Sequence, residues 1–410
     1  MLGTCDLDKR GSRFGARGPL RRSAWFVAAG LLLGTRVCFG QATSRPAGPK
    51  PHPVKPPAAA EIDRALERGA RFLLTVQNRD GSWGSARRTK NLNIYAPVPG
   101  AHHAFRAAVT SLCVSALIES GGRSDPVGRA IDRGEAYLLK ELPKVRRATP
   151  RAIYNVWAHA YGIQALVRMA SRRPAESQRR EQIRRTIAGQ IDLLKRYASI
   201  NGGWGYYDFG HRTQRPASVS TSFVTATVLL ALHEAAGIGV KAPKELTDRA
   251  VQSLLLQRNP DFAYQYSASF RFYPGRLICR PAGSLGRSQA CNLALRAWGD
   301  KRVTDDVLKT WLNRLYARNG WLSRARKMPV PHESWFAVAG YFYYYGHYYA
   351  AGCLEQLPAS DRPHFQDHLG RILLARQEKD GSWWDYPMYD YHQPWGTAFA
   401  MMALKRCERK

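Results

Sequence analysis

The stretch from Arg68 to Gly84, RGARFLLTVQNRDGSWG, returns almost unchanged from Leu369 to Asp385 as LGRILLARQEKDGSWWD. Each copy reads as an amphipathic helix that ends at a Gln, turns on a Gly and closes with a Trp, so the chain is built from repeats. Aligning on the apolar pair before the Gln places equivalent leucines at Leu74, Leu139, Leu194, Leu255, Leu312 and Leu374, at steps of 65, 55, 61, 57 and 62 residues. Six units therefore lie between Glu61 and Lys410. The middle copies keep part of the phrase: RGEAYLLKEL from Arg133, GQIDLLKRYASINGGWG from Gly189, AVQSLLLQ from Ala250 and DVLKTWLNRLYARNGWL from Asp306.

After its turn each unit carries a second long apolar segment, starting near Ala101, Ala152, Ala217, Ser284, His332 and Tyr391. The first helix of each unit is charged on one side, whereas the second is apolar around most of its circumference, and a helix that is hydrophobic all round belongs inside. The predicted fold is all-α: six inner helices enclosed by six outer ones, an (α/α)6 toroid.

This pattern resembles the prenyltransferase and squalene oxidase repeat family, the toroid of squalene and oxidosqualene cyclases and of protein prenyltransferase β subunits. The resemblance covers Glu61 to Lys410, and its most specific elements are the sets Gln77, Gly81, Trp83 and Gln377, Gly381, Trp383. It implies that each Gln caps an outer helix, that each Trp packs on the next unit, and that a ligand occupies the hollow near the N-terminal ends of the inner helices. The implied ligand is an apolar or anionic, isoprenoid-like small molecule or lipid.

The family's cyclase acid, in a DxDD motif, is absent; Thr304, Asp305 and Asp306 come nearest and read as an ordinary helix start. The family's zinc site is echoed in part by Arg324, Arg326 and Lys327, then His332, Glu333 and Ser334, with His392 about sixty residues on. His332, Glu333 and His392 are accordingly the candidate catalytic residues. No cofactor is expected; zinc on two imidazoles and one carboxylate is the alternative. The competing reading of His332 and Glu333 is that they open an inner helix.

Polar and aromatic side chains crowd the starts of the inner segments, where they cost desolvation unless they bind something. His102, His103, Trp157, His159, Arg287, Trp335, Tyr391 and Trp395 are the candidate cavity residues on this ground. Two other functions stay open: a non-catalytic binding protein with a basic surface, and a polysaccharide-active toroid in which Asp208, Glu333, Asp385 and Asp390 supply a carboxylate pair. Nucleophile elbows, phosphate loops and dinucleotide fingerprints are absent.

Residues 1–40 combine five early arginines with the apolar run Ala24 to Leu33, the pattern of a secretory signal. Export to the periplasm, the exterior or a membrane surface follows as the expectation. Residues 41–60 hold six prolines and form a linker. The net charge is +31, of which +23 falls within 61–410. Such an excess favours an anionic partner, an envelope surface among them; nucleic acid is not expected of an exported chain.

Overall fold

The computed structural model describes residues 48–90, 99–121, 125–173, 175–208, 216, 219–273, 275–280, 283–332 and 337–409. The expected signal, residues 1–40, lies outside them, as do Glu333 and Trp335. Thirteen α-helices and no β-strand occur among the described residues. The outer set is α1 (Ala59–Thr75), α3 (Asp125–Glu141), α5 (Ser177–Tyr197), α7 (Lys244–Leu255), α9 (Asp305–Ala317) and α12 (Arg362–Leu374). The inner set is α2 (Pro99–Glu119), α4 (Asn155–Arg172), α6 (Ser222–Gly237), α8 (Leu285–Ala297), α11 (Phe342–Glu355) and α13 (His392–Lys405); a short α10 (Asn319–Arg324) follows α9.

Each inner helix packs on the next, α2 on α4, α4 on α6, α6 on α8, α8 on α11 and α11 on α13, and α13 returns to α2. The ring is closed. Its seam is specific: Gln377 Nε2 donates to Ala65 O of α1 at 2.9 Å, and Arg371 pairs with Glu61 at 3.2 Å. The described part of the proline-rich run is tied down too, because Arg371 donates to Lys55 O and Pro56 O at 2.7 and 2.8 Å. At the far end of the inner ring, Arg168 of α4 bridges Glu119 and Glu234, and Arg406 also reaches Glu119, a buried ion network joining α2, α4, α6 and the end of α13.

The repeated phrase makes one tie several times over. Trp83, Trp204 and Trp383 are fully buried, and each indole N–H donates to the carbonyl of a leucine ten residues earlier, at 2.8 to 2.9 Å. Each Trp backbone N–H donates to a threonine hydroxyl of an inner helix, Thr110, Thr225 or Thr397, at 3.0 Å. Two residues before each Trp stands a glycine with φ between +86 and +89, pressed against a backbone carbonyl of the next outer helix (Arg133, Arg249 or Arg68). An added Cβ would come within 2.3 to 2.6 Å of that oxygen, so the position accepts only glycine there. In the fourth unit Tyr264 replaces the Trp, and Phe262 takes the glycine's place with φ +63. The same turn forms regardless: Asn259 N donates to Ala263 O at 2.8 Å, as Asn78 N does to Ser82 O.

One boundary differs from the sequence expectation. The fifth inner segment reads as helical from His332, yet α11 begins at Phe342. Pro329 and Pro331 deny the preceding residues helical hydrogen bonds, and His332 and Ala337 have φ +66 and +49, outside the right-handed helical region. His332 therefore sits in a loop, not at a helix start.

Candidate ligand cavity

The inner helices start on the side where the outer-to-inner connections cross, and that side of the ring holds a cavity of about 230 Å³. The inner helices supply Phe105 and Leu112 from α2, Trp157 and Tyr161 from α4, Phe223 from α6, Phe342 and Tyr345 from α11, and Trp395 from α13. The connections add Tyr206, Tyr207, Tyr266, Tyr386 and His332. Thirteen of the nineteen described lining residues are Phe, Tyr or Trp, and none of the nineteen is Asp, Glu, Lys or Arg. The rings interlock mostly edge to face, for instance Phe223 with Phe342 at 4.9 Å and Tyr345 with Tyr349 at 4.7 Å between centroids.

Phenol oxygens of the wall are paired, some with one another and some with backbone carbonyls, Tyr345 OH donating to Phe223 O at 3.0 Å and Tyr386 OH to Pro329 O at 3.2 Å. A carbonyl can only accept, so His332 Nδ1, 2.9 Å from Ala337 O, carries the ring proton and leaves Nε2 to accept from Tyr341 OH at 3.1 Å. Tyr341 OH in turn meets Tyr266 OH at 3.0 Å, which meets Tyr206 OH, while Tyr154 donates to Tyr207. The chain Tyr206, Tyr266, Tyr341, His332 is thus polarised in one direction. With hydroxyls paired along the wall, the hollow presents ring faces. Burial pulls His332 down to about 4, so this imidazole is neutral near pH 7.

Of the candidate cavity residues, the structure brings Trp157, Trp395 and His332 to the lining. Trp335 lies outside the described residues, and the remaining ones serve contacts behind the lining. His159 faces Gln190 of α5 at 2.7 Å, and His103 pairs with Glu141 at 3.3 Å. Tyr391 donates to His102 O at 3.2 Å and lies against Gly84. His392 Nδ1 approaches Tyr389 O at 2.6 Å and stacks edge-on with Trp384, sharing no partner with His332. Arg287 is fully buried behind Tyr266 and Phe342, donating to the carbonyls of Tyr264 (2.9 Å), Gly283 (2.8 Å) and Ile278. It props the wall without lining it.

The described candidate carboxylates do not converge on the hollow; Glu333 lies outside the described residues. Asp208 pairs with Arg147 at 2.9 Å, Asp390 with Arg87 at 3.0 Å, and Asp385 accepts from Tyr344 N at 2.9 Å in the first turn of α11. Among the described residues no three His, Cys, Asp or Glu gather as metal ligands. The tyrosines that reading the sequence missed carry a signal in hindsight: Tyr206, Tyr266 and Tyr386 follow the buried aromatic of their repeat, Trp204, Tyr264 and Trp383, by two or three residues.

These buried groups fix an acid-side stability trend. Burial lowers His159, His332 and His347 to about 4 each, below the unfolded value near 6.5, so between those pH values the unfolded chain binds up to three more protons. Burial raises Asp385 to about 7, which binds one proton the other way and offsets only part of this. Each proton bound in excess by the unfolded chain removes about 1.4 kcal/mol for every tenfold rise in acidity, so stability is expected to fall by several kcal/mol from pH 6.5 to pH 4. Urea midpoints at pH 7 and pH 5 test it; equal midpoints would refute the neutral-histidine assignment, and His159→Gln should flatten the slope.

No family model matches this sequence, and no curated protein sequence matches it. Solved structures match in fold. An unsaturated glucuronyl hydrolase specific for heparin is 10% identical, over 85% of this chain and 97% of that one, with a TM-score of 0.54. The GH76A α-1,6-mannanase of Salegentibacter is 9% identical, over 84% and 98%, at 0.52. A type II terpene cyclase of Scytonema is 15% identical, over 85% and 98%, at 0.48. At these identities the likeness is one of fold, the α/α ring.

Proposed function

We propose that the ring binds an apolar, isoprenoid-like small molecule in its aromatic cavity. The observation that carries this reading is the described lining: thirteen aromatic side chains and, among the described residues, no charged one around about 230 Å³. An anionic headgroup such as a diphosphate would lose its hydration there without a cation to replace it. Of the two ligand classes, apolar and anionic, the lining supports the apolar. A polysaccharide-cleaving site needs two carboxylates facing the bond, and none of the described carboxylates lines the hollow. Scaling from a ~150 Å³ cavity that accepts benzene, this one takes roughly nine or ten carbons, the size of a two-isoprene unit.

The ring faces also favour electron-poor or cationic character in what they surround, through their quadrupoles. His332 is the one imidazole among the described lining residues, and Tyr341 delivers its proton toward it. Binding is the function proposed; a chemical step on the ligand would have to use these two groups.

Titration calorimetry with geraniol, and with maltotriose as the polar control, tests the proposal. Geraniol is expected to bind with a negative heat-capacity change, the mark of apolar burial. Leu112→Trp, which fills the hollow from α2, should weaken geraniol at least about tenfold while keeping the fold, since overpacking typically costs only ~1–3 kcal/mol. Maltotriose binding without geraniol binding, or geraniol binding untouched by Leu112→Trp, would overturn it.

A further inference from the structure

Among the described residues eight large hydrophobic side chains are exposed, and their placement is not scattered. Six of them sit in two neighbouring outer-to-inner connections: Leu256, Phe272, Tyr273 and Leu277 between α7 and α8, and Trp321 and Met328 between α9 and α11. Phe272 and Tyr273 are 68% and 62% exposed. Ile200 lies in the outer-to-inner connection after α5, which leaves only Val54 of the eight elsewhere. The connections on the opposite side, from inner to outer helices, expose no large hydrophobic among the described residues.

The two loops touch. Tyr266 and His332 stack edge-on at 5.3 Å, Tyr266 OH meets Tyr341 OH at 3.0 Å, and Arg314 of α9 pairs with Asp261 at 3.0 Å. Their charge is of one sign. Residues 266–280 contain Arg271, Arg276 and Arg280 and no acid, and residues 318–332 contain Arg318, Arg324, Arg326 and Lys327 and no acid. Guanidinium groups lie over the exposed rings, Arg271 over Phe272 at 4.5 Å and Arg318 over Trp321 at 5.6 Å. This is a rim of apolar tips set among cations, on the same side of the ring as the cavity.

We propose that this rim is a docking face for an anionic lipid bilayer, with Phe272, Leu277, Trp321 and Met328 entering the headgroup region and Arg271, Arg276, Arg280 and Arg324 meeting lipid phosphates. Aromatic tips alone would also suit a sugar or a base, which stack on ring faces. The aliphatic and thioether tips, Leu277 and Met328 with Ile200 and Leu256, have no face to stack on and gain only by leaving water. Exposed apolar patches rimmed by polar groups mark interaction sites, and basic residues at a membrane surface add attraction to anionic lipid. The docking stands independently of whether the cavity takes a ligand, since none of these tips belongs to the cavity lining.

The test uses the full chain with Cys5 and Cys38 changed to Ser, because the ring's own five cysteines are buried and free. An environment-sensitive fluorophore is attached at Phe272→Cys, or at Lys301→Cys in an inner-to-outer connection as the opposite-face control. Vesicles of mixed phosphatidylglycerol and phosphatidylcholine should shift the label at 272 to the blue and leave the label at 301 unchanged. Pure phosphatidylcholine should give a smaller shift, and Arg271→Glu with Arg276→Glu should lower partitioning by at least about tenfold. Sedimentation with vesicles but no shift at 272 would mean that another part of the chain binds, and would overturn the proposal. So would absence of vesicle binding, or a shift produced by heparin and not by vesicles.

Discussion

Trp383→Ala is expected to cost about 3–5 kcal/mol of folding stability, because it empties a fully buried indole site at the one place where the last repeat meets the first. The Trp383 ring lies against Gly69 of α1, its N–H satisfies Leu373 O at 2.9 Å, and its backbone N–H is held by Thr397. Gly381→Ala attacks the same seam by another route. Its φ of +89 is strained for any residue with a Cβ, and that Cβ would stand 2.6 Å from Arg68 O. The backbone of α1 would have to retreat from the last repeat. Urea midpoints at unchanged slope measure both losses. A loss below about 1 kcal/mol for either variant would mean that the seam contributes little and that each unit stands largely alone.

Arg287→Met should be the second costly change, through the three backbone carbonyls it would leave without a donor inside the protein. Each orphaned acceptor costs about 1–3 kcal/mol, so a loss of at least ~2 kcal/mol follows even if one of them finds water. Burial pulls Arg287 down to about 10, still far above neutral pH, so the wild-type side chain is charged and its positive charge rests against the Tyr266 and Phe342 rings. The variant should lose cavity binding as well, because Tyr264 and Tyr266 lie on the loop that Arg287 fastens to α8. Arg287→Lys keeps the charge but cannot reach three acceptors in a fixed fork, and should recover only part of the loss. Geraniol binding undiminished in a folded Arg287→Met protein would show that the wall holds without its prop.

The ring is legible in the chain because the Gln, Gly and Trp signal recurs, and because buried inner helices differ in polarity from amphipathic outer ones. The fourth repeat is the least legible, since Phe262 and Tyr264 stand where Gly and Trp stand elsewhere, although the turn they make is the same. The site is legible only in part. The correct end of the inner helices can be read, but an inner helix that is apolar all round carries no phase, so the sequence does not say which side faces the axis. Trp157 faces it, while His159, two residues on, points back to Gln190 of α5. Arg287 reads as a ligand-facing cation and is a structural one. His332 reaches the cavity for a reason no helical reading supplies, a left-handed loop residue after two prolines.

Closure is the claim on which the cavity, its aromatic lining and the docking rim all depend, since an open array would leave α2 and α13 without a shared interior. Spin labels at Glu67→Cys on α1 and Lys379→Cys in the turn after α12, both exposed, measure it directly by pulsed dipolar spectroscopy. Arg68 reaches the carbonyl of Glu378 at 2.8 Å, which places the two labels beside one another. A single narrow distribution at the shortest distances the method resolves is the predicted result. A long or broad distribution, as from two free ends of a superhelix, would contradict it.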